Sequence, residues 1–208
     1  MSLYIRTLDQ MKGELGISSD DSDTELTAWL EGLQGRFDTH CRRIFLEQTS
    51  RVEIHDGGYS SLFVEAWPIE SVSEILIDSD QDWSDPDNTL DSDDYLVANK
   101  RGMILYSRGN YRWPRGRLSI RTTYTGGLIA SDGTAANSYV EYGHRQTLIR
   151  AFIMQAGFEW RNRETLGIMQ ISASGMAKQV GAGVALALKG VTLMPEVQTA
   201  LQPLVRTL

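Results

Sequence analysis

An α+β fold is predicted: an antiparallel helical bundle built from the N- and C-terminal parts of the chain, with an antiparallel β-rich region inserted between them. Three observations carry this. Near both ends of the 208-residue chain, apolar residues recur at three- and four-residue steps, the period of a helix with one buried face. Between Ser50 and Gly127 the pattern changes to two-residue alternation broken by Gly, Pro, Asn and Asp, the pattern of short strands and turns. A content of 41% apolar and 23% charged residues is that of a globular chain able to bury a core. Residues 1–49 are then an N-terminal helical part, 50–127 a β-rich insert, and 128–208 a C-terminal helical part that completes the bundle, with a flexible segment at 165–193.

Thr7 and Gln10 have the spacing of a capping box for a short helix, TLDQMKGELG, that Gly16 would stop. Ser22 and Glu25 repeat the signature after the polar link SSDDSD. From there a longer helix is expected to run to about Phe45, with Leu26, Leu30, Leu33, Phe37, Cys41 and Ile44 on one side. Cys41, the single cysteine, lies on that stripe and reads as a small buried hydrophobe, and a lone thiol excludes an intramolecular disulfide. Gly32 and Gly35 each cost about 1 kcal/mol against alanine inside a helix, which suggests close approach of another helix.

In the insert, RVEIHD alternates through Val52 and Ile54, GGY turns the chain, and SLFVEA returns it, so a hairpin is expected. Trp67 and Pro68 close that unit. SVSEILID alternates through Val72, Ile75 and Ile77 before an acidic segment, and DYLVAN and GMILYS form a strand pair around Asn99 to Gly102. Leu118, Ile120, Thr122 and Tyr124 share one face of a last strand that paired glycines end.

The strongest helical stripe is in Ser138–Arg163. Leu148, Ile149, Phe152, Ile153, Ala156 and Trp160 lie on one face, Arg145, Arg150, Gln155, Glu159 and Arg163 elsewhere, and Ser138 with Glu141 offers a capping box. Beyond it, 164–197 is apolar enough to be buried but too rich in glycine for an unbroken helix, so its state is expected to depend on a partner. Pro195 and Glu196 suit the first turn of a terminal helix with Val197, Leu201 and Leu204 inward, interrupted at Pro203.

The net charge of −7 disfavours a predominantly electrostatic grip on nucleic acid. MSLYIRTLDQ is too short and polar for a signal peptide, and no apolar run approaches membrane-spanning length, so a soluble protein without a membrane partner is expected. Asp78, Asp80 and Asp82 open like a calcium loop, but Trp83 stands where the turn requires glycine and Thr89 where a bidentate glutamate belongs. A solvated acidic loop is the expectation for 78–94. The three histidines, His40, His55 and His144, fall in separate elements without metal-ligand spacing, and neither a G-x-S-x-G elbow nor a phosphate-binding glycine loop occurs. No catalytic residue, metal or cofactor is assigned. Arg108, Arg112, Arg115, Arg117 and Arg121, interleaved with Tyr111, Trp113 and Tyr124, are the one basic cluster; such a set serves a subunit contact or a solvated hairpin, or stacks and neutralises nucleic acid, and the acidic whole favours the former.

Several segments, in order, resemble the head-tail connector proteins of long-tailed bacteriophages, the gp6-like adaptor or head-completion family. They are YIRTLDQMKGELGI, an acidic link into a helix ending in CRRIF, RVEIHDGG, LFVEAWPIESVSEI, RLSIRTTYTGGL, RAFIMQAGFEWRNRETLGI and MPEVQTALQPLVR. The resemblance implies a non-enzymatic virion component at the neck, assembled in the bacterial cytoplasm. It would form a homo-oligomeric ring, dodecameric in the virion, that docks on the portal protein and meets a neck or tail-completion protein. DNA would pass through its channel without sequence-specific recognition. Ring closure needs two different, complementary faces on each subunit. Arg108, Tyr111, Arg112, Trp113 and Arg115, together with Met169, Ile171, Met176, Val180, Leu201 and Leu204, are the candidate interface, the later residues ordering on a neighbour. The alternative is a sugar- or peptide-binding β-module using Tyr59, Trp67, Trp83, Tyr111 and Trp113. A metal-assisted hydrolase built on the acidic loop ranks below both.

Overall fold

The computed structural model describes residues 5–162 and 192–206. The α+β class is as predicted, with helices from both ends of the chain and two antiparallel three-stranded sheets between them. The chain divides into two compact units: a β unit of residues 42–145, and a helical unit whose described residues are 5–41, 146–162 and 192–206.

In the helical unit, α1 (Leu8–Leu15) starts with a closed capping box, Gln10 N–H donating to Thr7 Oγ1 (3.3 Å) and Thr7 N–H to Gln10 Oε1 (3.0 Å). It ends at Gly16, whose φ of 72° is the left-handed turn that glycine adopts without strain. Lys12 is clasped by Asp20 (2.5 Å) and Asp23 (2.7 Å), which ties the link after α1 to its body.

Helix α2 (Asp23–Cys41) follows Ser22 directly and buries Leu26, Leu30, Leu33, Phe37 and Cys41, the predicted stripe. It stops short of the expected Phe45 because Arg42 takes a φ of 52°, a backbone that a right-handed helix does not continue through. Among the described residues, Gly32 and Gly35 are not contact points for another helix: both are exposed, and a Cβ on either would meet no described atom within 4 Å.

Helix α3 (Tyr142–Asn162) buries Leu148, Ile149, Phe152 and Ala156, with Ile153 and Trp160 half-buried. It begins four residues after Ser138, so the Ser138–Glu141 box does not form. The turn there is held instead by Asn137, whose Oδ1 accepts from Tyr139 N–H (3.0 Å) while its amide donates to the Pro68 and Gly127 carbonyls (3.2 and 3.3 Å). Trp29 meets Trp160 (ring centroids 5.6 Å) and Phe37 meets Phe152 (5.3 Å); numbers rise along α2 as they fall along α3, so the pair is antiparallel. Gln155 and Glu159, expected away from the core, are buried. Glu159 accepts from Arg36 (2.8 and 2.6 Å), Trp29 Nε1 (3.0 Å) and Gln155 Nε2 (2.6 Å), and Gln155 Oε1 accepts from Met194 N–H (2.8 Å). Helix α4 (Pro195–Leu201) carries Pro195 in its first turn and buries Val197 and Leu201; a 3₁₀ turn containing Pro203 then buries Leu204. Of the expected partner-dependent segment, residues up to 191, with Met169, Ile171, Met176 and Val180, lie outside the described residues.

The β unit has strands β1 (Gln48–His55), β2 (Ser61–Phe63), β3 (Ile69–Ile77), β4 (Tyr95–Ala98), β5 (Met103–Tyr106) and β6 (Ile120–Gly126), in sheet orders β1-β6-β3 and β2-β5-β4. β4 and β5 pair around Asn99–Gly102 as predicted. The hairpin expected between RVEIHD and SLFVEA is absent. β1 pairs with β6 and β2 with β5. The glycines of GGY serve a close approach rather than a hairpin turn: Gly57 N–H donates to Gly116 O (2.8 Å), Gly58 N–H to Trp113 O (3.0 Å), and a Cβ on Gly57 would lie 1.7 Å from the Pro114 carbonyl oxygen. Leu118 also departs from expectation. It precedes β6 with a φ of 49° and is exposed. Between the sheets lies a core that includes Val64, Ile69, Ile75, Ile104, Trp113 and Tyr124.

Candidate interaction surface

Strand β1 is an edge strand of its sheet, and its two faces are inverted relative to a strand that buries its apolar side. Val52 and Ile54, which set the alternation in the sequence, point outward and are 54% and 47% exposed. Arg51, Glu53 and His55 occupy the opposite, half-buried face. The reason is a polar knot there. Glu53 accepts from the Tyr124 hydroxyl (2.5 Å), from Arg51 Nε (2.7 Å) and from Glu65 N–H (3.2 Å), while Ala66 N–H donates to the Tyr124 oxygen (2.9 Å). Burial, then the hydrogen bond and charge of Glu53, hold the Tyr124 hydroxyl well above the usual tyrosine range, so it remains a protonated donor. The interface read from sequence omits Val52 and Ile54, because the alternation shows their period and not the side of the strand they take.

Residues 107–119 form a loop pinned by one side chain. Trp113 is 1% exposed, packs on Tyr106 (ring centroids 5.0 Å) and donates its backbone N–H to Tyr59 O (2.8 Å). Tyr111, at a φ of 58°, turns the chain so that Tyr111 and Arg112 are exposed just before the tryptophan and Arg115 and Arg117 just after it. Arg108 is bound to Asp94, with Asp91 at 3.9 Å, and Arg121 to Glu74 (3.1 Å). Among the described residues, Arg112, Arg115 and Arg117 have no acidic partner within ion-pair range. Of the interface residues assigned from sequence, Arg108, Tyr111, Arg112 and Arg115 are therefore on the surface, whereas Trp113 is core. Leu201 and Leu204 are also fully buried, so neither is a surface residue of this chain.

The acidic loop 78–94 is shaped by its own carboxylates. Asp78 Oδ1 accepts from Asp80 N–H (2.8 Å), Asp82 Oδ1 from the Ser84 hydroxyl (2.7 Å), and Asp85 Oδ1 from Asp87 N–H (3.0 Å). No group of carboxylate, His and Cys side chains among the described residues is arranged to hold a metal ion. The aromatics of the binding-module alternative do not form one exposed set. Trp67 lies beneath Arg43 (3.3 Å to the ring centroid), Trp83 beside Arg121 (5.5 Å), Trp113 is buried, and Tyr59 and Tyr111 are exposed. In the helical unit, Gly32, Gly35, Arg36, Thr39, His40, Thr192, Leu193 and Gln198 line a groove of ≈ 540 Å³. No helix among the described residues is long and apolar enough to cross a membrane.

No family model matches the chain, and no curated protein matches it. Among solved structures it is similar to a chain of the neck of an empty GTA particle, computed with C6 symmetry, at 14% identity and a TM-score of 0.49 over 86% of each chain. It is also similar to a chain of the neck of a native GTA particle, computed with C12 symmetry, at 13% identity and a TM-score of 0.43 over 86% of this chain and 85% of that one. At such identities and scores, neither likeness assigns a function to this chain.

Proposed function

We propose that the chain is a non-enzymatic structural subunit of a closed ring at the neck of a virion, a head-tail connector. In this reading the ring docks on a portal protein, extends the DNA channel and receives a neck or tail-completion protein. The observation that carries it is the outward apolar face of β1. An edge strand that turns Val52 and Ile54 to solvent and its charged residues inward is built for a surface that a neighbour covers. The succession of sequence segments from YIRTLDQMKGELGI to MPEVQTALQPLVR supports the same assignment. Further support comes from the placement of exposed large hydrophobics, of which Val52, Ile54, Tyr59, Phe63, Leu96, Tyr111 and Leu118 all belong to the β unit.

Light scattering behind size-exclusion chromatography at rising protein concentration, alone and with a portal ring, tests this. A closed oligomer of fixed mass, alone or on the portal, is the expected result. A chain that stays monomeric under both conditions, or particles that join heads to tails and keep their genome without it, would overturn the reading.

A further inference from the structure

We infer that the arginine loop of one copy docks on the acidic loop of an adjacent copy; this rests on the ring reading and names the complementary surfaces that such a ring needs. Residues 78–94 contain eight aspartates and no Lys, Arg or His, and residues 108–118 contain four arginines and no Asp or Glu. Among the described residues, Arg108 is the one of these four arginines with an acidic partner, Asp94, with Asp91 at 3.9 Å. Arg112, Arg115 and Arg117 are exposed without an acidic partner among the described residues. Asp80, Asp82, Asp85, Asp87 and Asp93 are exposed with no cationic partner among the described residues.

The two loops are neighbours in one copy, where Gln81 Nε2 reaches the Arg117 carbonyl (3.5 Å), yet these charges do not pair. Each loop is fixed by its own anchors. Trp113 and the backbone bonds of Gly57 and Gly58 hold the arginine loop, and the aspartate turns at Asp78, Asp82 and Asp85 hold the other. Both charge sets are thus presented in place before any contact, which lowers the ordering entropy that docking would otherwise cost. A guanidinium fork pairs well with carboxylate, and exposed Tyr59 and Tyr111 beside it supply aromatic area of the kind enriched in subunit contacts. A phosphate backbone is the weaker match, because the arginine loop lies beside the aspartates that would repel it. Opposite charges that meet only in one orientation set register between copies and disfavour like-on-like docking.

Full-length chains test this by sedimentation at physiological and high salt. The wild type is expected to assemble at about 0.15 M salt and to dissociate toward 1 M, since exposed pairs are screened over roughly 8 Å at the lower and 3 Å at the higher ionic strength. Arg112→Glu/Arg115→Glu and Asp80→Lys/Asp87→Lys, the latter pair chosen because neither side chain holds a loop turn, should each weaken self-association at least tenfold. An equimolar mixture of the two variants should restore assembly, as each reversed loop then meets its complement; restoration also shows that both variants fold. Undiminished assembly of either variant alone, or failure of the mixture to restore it, overturns the inference while leaving the ring intact. So does a salt-sensitive shift of duplex DNA lost only in the arginine variant with assembly unchanged. A wild type that assembles neither alone nor with a portal ring removes both this contact and the ring.

Discussion

Glu53 is the residue on which the polar interior of the β unit converges, taking hydrogen bonds from the Tyr124 hydroxyl, Arg51 and the backbone of Glu65. Tyr124→Phe removes one donor and leaves the Glu53 carboxylate and the Ala66 N–H each short of a partner. It is expected to cost about 1–3 kcal/mol in urea denaturation, the penalty of unsatisfied buried polar groups. The pH dependence has a definite sign. The folded-state value of the Tyr124 hydroxyl lies above its unfolded value near 10, so its contribution is complete below that pH and is lost as pH rises through the alkaline range. Stability of Tyr124→Phe should therefore fall less steeply above pH 10 than that of the wild type. Asp132 has the opposite sign. Hydrogen bonds from the Thr134 hydroxyl and N–H hold its carboxyl below the usual carboxylate range, so its contribution is present near neutrality and lost on acidification.

At the scale of elements, the helix ends show where local chemistry suffices. The box at Thr7 and Gln10 forms because every atom in it lies within four residues, and Thr7→Ala should cost about 1 kcal/mol, measured as a shift of the denaturation midpoint at constant slope. The similar signature at Ser138 and Glu141 fails because Asn137 bonds the Pro68 and Gly127 carbonyls, distant groups that fix the preceding turn and delay the helix to Tyr142. Strand pairing divides in the same way. The β4–β5 pair was legible from its short connection, whereas β1 joins β6 across more than sixty residues, a choice made by Tyr124 beneath Glu53 and by the fit of Gly57 against Pro114.

For the whole molecule, the apolar outward face of β1 and the loop charges without partners among the described residues belong to the same unit, and the ring reading makes that unit the place where copies meet. Val52→Asp/Ile54→Asp places charge on the exposed outer face of β1. The variant is expected to keep the wild-type circular dichroism and melting temperature within a few degrees, because exposed substitutions typically change stability by about 0.5 kcal/mol or less. Its oligomer should be lost in light scattering. A variant that assembles like the wild type would place the subunit contact elsewhere. The candidate site was partly legible: the arginines of 108–117 stand on the surface as read, but Trp113 among them is the plug that holds the loop, and an alternating basic and aromatic run does not say which member turns inward.

By itself the sequence determined the periods, the first helix and its caps, the buried stripes of α2 and α3, the burial of Cys41 and the terminal helix begun by Pro195. These depend on residues within one or two turns of each other, so the chain states them locally. Tertiary structure alone decided that Gln155 and Glu159 face inward, since Arg36 and Trp29 of α2, together with Gln155 itself, satisfy that carboxylate and make its burial favourable. It also decided which side of β1 meets water, because a two-residue period is the same whichever face is covered, and the covering groups come from distant parts of the chain.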